Sequence, residues 1–254
     1  MARRVLGVGR QQSSLDEALA VGAIDEALLD AAGAARRSDL VVFCTPVDRI
    51  GEQMLEAAAT CKEGAIFTDA GSTKRAIVQA AEAELPNRVR FVGGHPLAGS
   101  EKKSIAFAHA DLFVDRWTVL TPTANTPVTA LDTVGLFWRA LGARVRTMAP
   151  ADHDVALALT SHLPHLVAAA LAGLLPQEMH DLTATGFRDT TRVASGDPCV
   201  WTPIFQQNRA AVLAALDQLE TRLRHFRAAL ETHDLAQIDS LLTQGKKVRD
   251  ALGS

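Results

Sequence analysis

Cysteine is scarce, and no spacing joins the few there are. Cys44, Cys61 and Cys199 are the three in 254 residues. Without a C-x-x-C pair they outline neither a zinc knuckle nor a disulfide framework. They read as small buried hydrophobes of a reducing compartment. Basic charge is not in excess: 26 Lys and Arg face 29 Asp and Glu, for a net charge of -3. That excludes the electrostatic footprint of a nucleic-acid binder and the basic amphipathic helix of a membrane-surface protein. No uninterrupted apolar run reaches the roughly 18 residues of a membrane span, and Val5-Leu6-Gly7-Val8-Gly9 is too short for a signal-peptide core. The expectation is a cytoplasmic chain of two domains, each of about 100–150 residues.

What is present is alternation. Arg4 to Gly9 reads as a short buried strand, followed by a helix over Leu15 to Val21 with Ser13 or Ser14 as N-cap. Asp25 to Ala32 reads as helix or loop. Strands are expected at Asp39 to Thr45, Ala65 to Asp69, Val89 to Gly93, Trp117 to Leu120 and Ala143 to Thr147. Helices are expected at Val47 to Thr60, Lys74 to Leu85 and Ala130 to Leu141. Single helices between apolar strands predict an α/β, Rossmann-like doubly wound sheet. After Pro150 the text turns to Ala/Leu-rich helices at Ala156 to Leu175, Ala210 to Leu230 and Leu235 to Ala251. The shift predicts an incomplete Rossmann-like domain over 1–150 and an all-α domain over 151–254. The apolar helices of the second predict a homodimer.

Ligands of an open parallel sheet bind at the C-terminal ends of its strands. Three such ends carry polar, glycine-rich text: Cys44-Thr45-Pro46, then Thr68-Asp69-Ala70-Gly71-Ser72-Thr73-Lys74, then Gly93-Gly94-His95-Pro96-Leu97-Ala98-Gly99-Ser100-Glu101-Lys102. All three converge on one rim. His95 sits in a loop between a glycine pair and a proline, where a neutral imidazole can accept a proton near pH 7. The bland alternative is a surface-loop histidine. Ser72 either bonds the same ligand or caps the helix that starts near Lys74.

A helical group follows: Asp152-His153-Asp154, then Ser161-His162-Leu163-Pro164-His165. His162 and His165 share a helix face, and Pro164 should kink the helix beside them. A metal held by these histidines is the alternative, but no HExxH or carboxylate-rich pattern accompanies them, so none is expected. In Gly186-Phe187-Arg188-Asp189-Thr190-Thr191-Arg192, the two arginines are four apart and could clamp a carboxylate. Otherwise Arg188 and Asp189 form a local ion network. Asn208 and Arg209 open a later helix that could face the same cleft.

Taken in order, Thr68-Asp69-x-Gly71-Ser72-x-Lys74, Gly93 to Lys102, Ser161 to His165, Gly186-Phe187-Arg188-Asp189-x-x-Arg192 and Asp197-Pro198 resemble the prephenate/arogenate dehydrogenases of tyrosine biosynthesis. The resemblance covers nearly the whole chain. It implies oxidative decarboxylation of prephenate, with arogenate as the alternative. A hydride leaves C4 of a cyclohexadienol for NAD(P)+, and carbon dioxide departs as the ring becomes aromatic. It implies His95 as acceptor of the C4 hydroxyl's hydrogen bond or proton, and Ser72 as the group orienting both. His165 and Arg192 would receive the side-chain carboxylate, and Glu101 would be a gating or discriminating acid. His162 would lie at the substrate site, with His153 in a supporting role. His165, the second histidine of its motif, favours prephenate. Lys103-Ser104 stand where relatives carry a glycine after the Glu-Lys pair, which alters the loop holding Glu101.

The glycine-rich phosphate loop is the last absence. Gly7-Val8-Gly9 opens like G-x-G-x-x-G, but the sixth position is Gln12, and no acid closes a strand about 20 residues on. The family register makes Arg4 to Gly9 the second strand. It puts the first strand, glycine loop and first helix, about 25–30 residues, ahead of Met1. On that register Arg10, Ser13 and Ser14 meet the adenosine ribose. An arginine and two serines, with no acid at the strand end, suit a 2'-phosphate, so NADP is favoured over NAD. Thr45, Pro46 and Asp69 are expected to line the rest of the cofactor site. Lack of a central strand would strip two neighbours of a ladder partner, and with it the helix N-terminus that receives a pyrophosphate. A catalytically impaired scaffold is therefore the competing reading.

Overall fold

A computed structural model describes residues 2–99 and 105–253 of the chain. Glu101, with the expectation attached to it, lies outside the described residues. Two sheets form. In the first, β1 (Leu6–Val8) and β2 (Glu26–Leu28) pair in parallel. The second runs in the order β3 (Leu40–Phe43), β4 (Ile66–Asp69), β5 (Arg90–Pro96), β6 (Trp117–Thr121) and β7 (Arg144–Thr147). Its neighbours are parallel except β5 and β6. Among the described residues no ladder joins the two sheets. The architecture is the expected Rossmann-like α/β class, with one antiparallel join.

Helices α1 (Gln12–Ala20), α2 (Ala31–Arg37), α3 (Val47–Thr60), α4 (Arg75–Glu84) and α5 (Val128–Ala140) alternate with the strands. In α3 the apolar positions Val47, Ile50, Met54, Ala57 and Ala58 recur at helical spacing and are all buried. They pack with Phe43 of β3, Phe67 of β4 and Ile77 of α4 in one core cluster. A second cluster joins Val92 of β5 and Leu120 of β6 to Val134 and Trp138 of α5.

Beyond β7 the chain is helical: α6 (Pro150–Leu157), a π-helical turn over Ala158–His162, α7 (Leu163–Gly173), α8 (Thr185–Thr191), α9 (Pro198–Gln207), α10 (Arg209–Glu231) and α11 (Leu235–Ala251). The described chain divides into two compact units, 1–209 and 210–254. In the second, the Asp234 carboxylate caps α11 by accepting from Gln237 N. Val212, Ala215, Ala229 and Leu241 are its buried apolar residues.

Several expectations are corrected. The stretch from Asp25 to Ala32 holds strand β2, too short to show alternation and set by its pairing with β1. Helix α1 starts at Gln12, so Ser13 and Ser14 lie in its first turn and neither is the N-cap; that position is Gln11, with no side-chain cap. β5 continues through Pro96, so His95 stands in a strand and not in a loop. The reason is the partner: β6 arrives antiparallel and pairs Gly93 with Thr121, Gly94 with Leu120 and His95 with Val119. Pro164 produces a π-turn. It has no N–H to continue the α ladder, and just before it the Leu163 N–H reaches back to the Ala158 carbonyl. Finally, the 24-residue helical stretch Pro150–Gly173, of mean hydropathy 1.6, is long and apolar enough to cross a membrane. Its sequence reads as broken because Asp152, His153, Asp154, His162 and His165 interrupt the apolar text. In the fold, His153 and Asp154 bond to strand-end residues of the second sheet.

Candidate active site

The site begins at the end of β4. Asp69 has no exposed surface. One carboxylate oxygen accepts from Gly71 N at 2.9 Å and pairs with the Lys74 ammonium, which is equally buried; the other accepts from Gly94 N at 3.0 Å. Asp69 is therefore a tie between the ends of β4 and β5. Its side chain, expected at the cofactor site, is wholly covered, with both carboxylate oxygens bonded within the protein. Burial draws the Lys74 ammonium below its usual range, against the pull of Asp69. Gly94 lies tight against the end of β4: a Cβ there would lie 2.7 Å from the Asp69 carbonyl oxygen and 3.0 Å from Thr68 Oγ1.

His95 follows one residue later, almost wholly buried. Its Nδ1 lies 2.9 Å from Nε2 of His153 on α6, with the rings edge to face. Nδ1 of His153 lies 2.8 Å from Oδ1 of Asp154. The same carboxylate accepts from the backbone N–H groups of Lys74 at 2.8 Å and Arg75 at 3.0 Å. These are orphan donors of α4's first turn, so α4 is capped by a side chain from α6. Ser72 is thus not the cap; half-buried, its hydroxyl makes no hydrogen bond among the described residues. Burial holds His95 well below the usual imidazole range, and His153, Lys74 and His162 push the same way. Burial would raise Asp154, but its bonds from His153 and the two backbone N–H groups outweigh that and hold it low.

His162, at the end of the π-turn, is 1% exposed. Asn208 donates to its Nδ1 at 3.0 Å and to the Asp154 carbonyl at 2.7 Å. The ring therefore carries its proton on Nε2, which has no partner among the described residues. Burial lowers its pKa to about 4, although Asp154 pulls upward. His165 stacks on Trp201 of α9 with centroids 3.6 Å apart; its Nδ1 is buried without a partner among the described residues. Burial lowers its pKa as well, opposed by a bond to the Val193 backbone. Val193 follows Arg192 in the 3-10 turn Arg192–Ser195, so His165 lies against the backbone of that turn; Arg192 itself is exposed. Arg188 lies near Thr183 instead, donating to its hydroxyl at 3.4 Å.

Arg10, Ser13 and Ser14 are all exposed at the N-terminal end of α1. The Thr45 hydroxyl donates to Gln53 at 2.7 Å, and Pro46 is the N-cap of α3.

The model of the prephenate dehydrogenase nucleotide-binding domain matches residues 1–147, and that of its dimerization domain matches residues 149–244. The chain belongs to the prephenate dehydrogenase family. Its sequence is 34% identical over 244 residues to a cyclohexadienyl dehydrogenase of Zymomonas mobilis, covering 93% of this chain and 83% of that one. It is 31% identical over 258 residues to a prephenate dehydrogenase of Bacillus subtilis, covering 98% of this chain and 69% of the relative. Prephenate dehydrogenase from A. aeolicus, solved in complex with hydroxyphenyl propionate and NAD+, superposes with a TM-score of 0.93 at 31% identity, covering 99% of this chain and 90% of that one. Arogenate dehydrogenase from Synechocystis gives 0.82 at 32% identity, covering 97% and 90%.

Sequence reasoning about this family member missed four residues that build the site. Lys74, Asp154, Gln207 and Trp201 had no assigned role. Gln207 accepts from Thr73 at 2.6 Å and donates to the Val47 carbonyl at 2.9 Å, tying α9 to two strand-end loops. Its partners are 134 and 160 residues away, which leaves no local signal. Asp154 did leave one, an acid directly beside a histidine at the head of a helix.

Proposed function

We propose that this chain oxidises and decarboxylates prephenate to 4-hydroxyphenylpyruvate, with His95 as the base. The observation that carries the reading is a buried, neutral histidine at the strand ends of a chain that matches both domains of the family. The relatives named for prephenate and cyclohexadienyl dehydrogenation support the substrate class.

The nicotinamide cofactor, when bound, supplies the hydride acceptor. The chain's own groups handle the proton. As the C4–H bond breaks, His95 takes the proton of the C4 hydroxyl and a C4 carbonyl forms. The ring carboxylate then leaves as carbon dioxide, and its bonding pair enters the ring. The C4 oxygen takes the proton back from His95 as the ring becomes aromatic. The proton is borrowed and returned, so a base kept neutral by burial is suited to the task. Ser72, with its hydroxyl unspent, orients the hydroxyl and His95. Arg192 supplies the charge that anchors the side-chain carboxylate, with His165 and His162 beside it.

The residues fit two ends of a dinucleotide. At the ribose end the first-turn N–H groups of α1 stand beside Arg10, Ser13 and Ser14, an arrangement that suits a 2'-phosphate and favours NADP. At the other end are Ser72, Thr45 and Pro46. The sequence has no G-x-G-x-x-G turn to hold a pyrophosphate between them.

Two measurements test the reading. His95→Asn should leave cofactor affinity unchanged and lower kcat by a factor on the order of 10²–10⁴, the usual worth of a general base. Near-normal turnover in that variant would remove His95 from the role. In a titration of the parent chain, NADP should bind more tightly than NAD. Binding of neither at millimolar concentration would overturn the cofactor reading.

A further inference from the structure

The bonds around His95 form a directed chain. An ionised carboxylate has no proton to give, and Asp154 is held ionised by three bonds: from the backbone N–H groups of Lys74 and Arg75 at the head of α4, and from the ring of His153. The His153 Nδ1 must therefore be the donor. A neutral His153 then offers only a lone pair at Nε2, and the atom 2.9 Å away is Nδ1 of His95. That nitrogen must carry the hydrogen, which leaves Nε2 of His95 as the lone pair. With a single proton on His153, each step follows from donor and acceptor capacity. The opposite direction would need a second proton on His153.

We propose that His153 and Asp154 are positioning residues: through Asp154 to His153 to His95 they lock His95 in the Nδ1–H tautomer, so that Nε2 is the atom that takes the substrate's proton. This rests on the reading of His95 as the base and adds to it which nitrogen acts and what selects it. In the step, the substrate O–H bond breaks and an N–H bond forms at Nε2. The resulting imidazolium stays hydrogen-bonded through Nδ1 to His153, whose Nδ1 remains on Asp154. No proton leaves the chain, and the same proton returns from Nε2 to the oxygen. Asp154 also caps α4, whose preceding residue Lys74 is bonded to Asp69 at the end of β4. The carboxylate that sets the tautomer is thus fixed to the element that carries the strand-end loop. The other ionisable groups facing His95 are Lys74 at the head of α4 and His162 from the π-turn.

The test reads the tautomer directly. The full chain, labelled with 15N in its histidines, is examined by two-dimensional nitrogen–proton NMR at pH 8, with His95→Asn used to assign the His95 signals. The parent should show His95 protonated at Nδ1 only. His153→Phe removes the acceptor and should release that preference, with kcat falling roughly 10²–10³-fold while KM moves less than about threefold. His153→Gln places an amide oxygen where Nε2 was; it should restore the Nδ1–H signature and most of the lost kcat. A parent ring protonated at Nε2 overturns the proposal without any variant, and so stands even if His153→Phe fails to fold. Retention of the Nδ1–H tautomer and of kcat in His153→Phe overturns it too. If His95→Asn is inactive in either case, the base assignment survives and only the relay is lost. If His95→Asn turns over normally, the base assignment itself has failed.

Discussion

His162 shows how one buried ring ties stability to pH. Its pKa is lowered from 6.5 to about 4, chiefly by burial, with His153 adding to the effect and Asp154 opposing it. The folded state therefore resists the proton that the unfolded chain accepts. Between pH 6.5 and 4 the unfolded state binds more protons, so stability rises with pH across that window and is lost as pH falls through it. Near pH 5 the loss attributable to this ring is about 2 kcal/mol. His162→Gln removes the titration and keeps an amide in place of the ring. Urea denaturation at pH 7 and pH 5 should show a smaller acid-induced loss in the variant, by about that amount. Equal losses in the two proteins would mean that His162 charges as readily folded as unfolded. Lys74 presents the opposite problem at the same scale. A fully buried ammonium persists because Asp69 pairs with it, and the pair serves the geometry of the strand ends more than it serves stability.

At the scale of elements, β5 carries the site, and its glycines let it lie where it does. Gly94 faces the backbone of β4, where an added Cβ would meet a carbonyl oxygen at 2.7 Å; Gly93 faces the Thr121 side chain at 2.4 Å. A hydroxyl can rotate away, whereas a strand backbone cannot. Gly94→Ala should therefore destabilise the protein by about 2–3 kcal/mol, the range for overpacking a rigid core, and Gly93→Ala by less. Thermal or urea unfolding of the two variants checks the order, and a Gly93→Ala that is the worse of the two would contradict it. The same strand shows what the sequence conveys. Helices α3 and α11 are legible to the residue, because an amphipathic period and clear flanking text bound them. The three glycine-rich strand ends do converge as read. Yet the text of β5 after Val92 looks like a loop, since Gly-Gly-His-Pro has no apolar alternation; its strand character comes from β6, more than 20 residues later. The capping of α4 by Asp154 and the contact between His95 and His153 are invisible for the same reason, being set by tertiary packing across 80 and 58 residues.

At the scale of the whole molecule, the C-terminal unit poses a problem of surface. It spans 210–254 and consists of most of α10 with α11. A segment of that length is at the limit below which a chain cannot bury enough apolar area by itself. Its leucines bear this out: Leu230 is 61% exposed, Leu235 77% and Leu242 59%. An apolar surface of this kind is characteristic of a face covered by a second subunit, and the chain carries the family's dimerization domain over residues 149–244. A homodimer, with these leucines in its interface, is the expected assembly. Sedimentation equilibrium should give twice the 27.1 kDa chain mass, and the melting temperature should rise with protein concentration, as mass action requires of a dimer. Replacing Leu230 and Leu242 together by Asp should abolish both effects, because two buried, unpaired carboxylates per chain are incompatible with a dry interface. A parent that sediments at the mass of one chain at micromolar concentration would refute the dimer. A variant that remains dimeric would place the interface elsewhere on the helical domain.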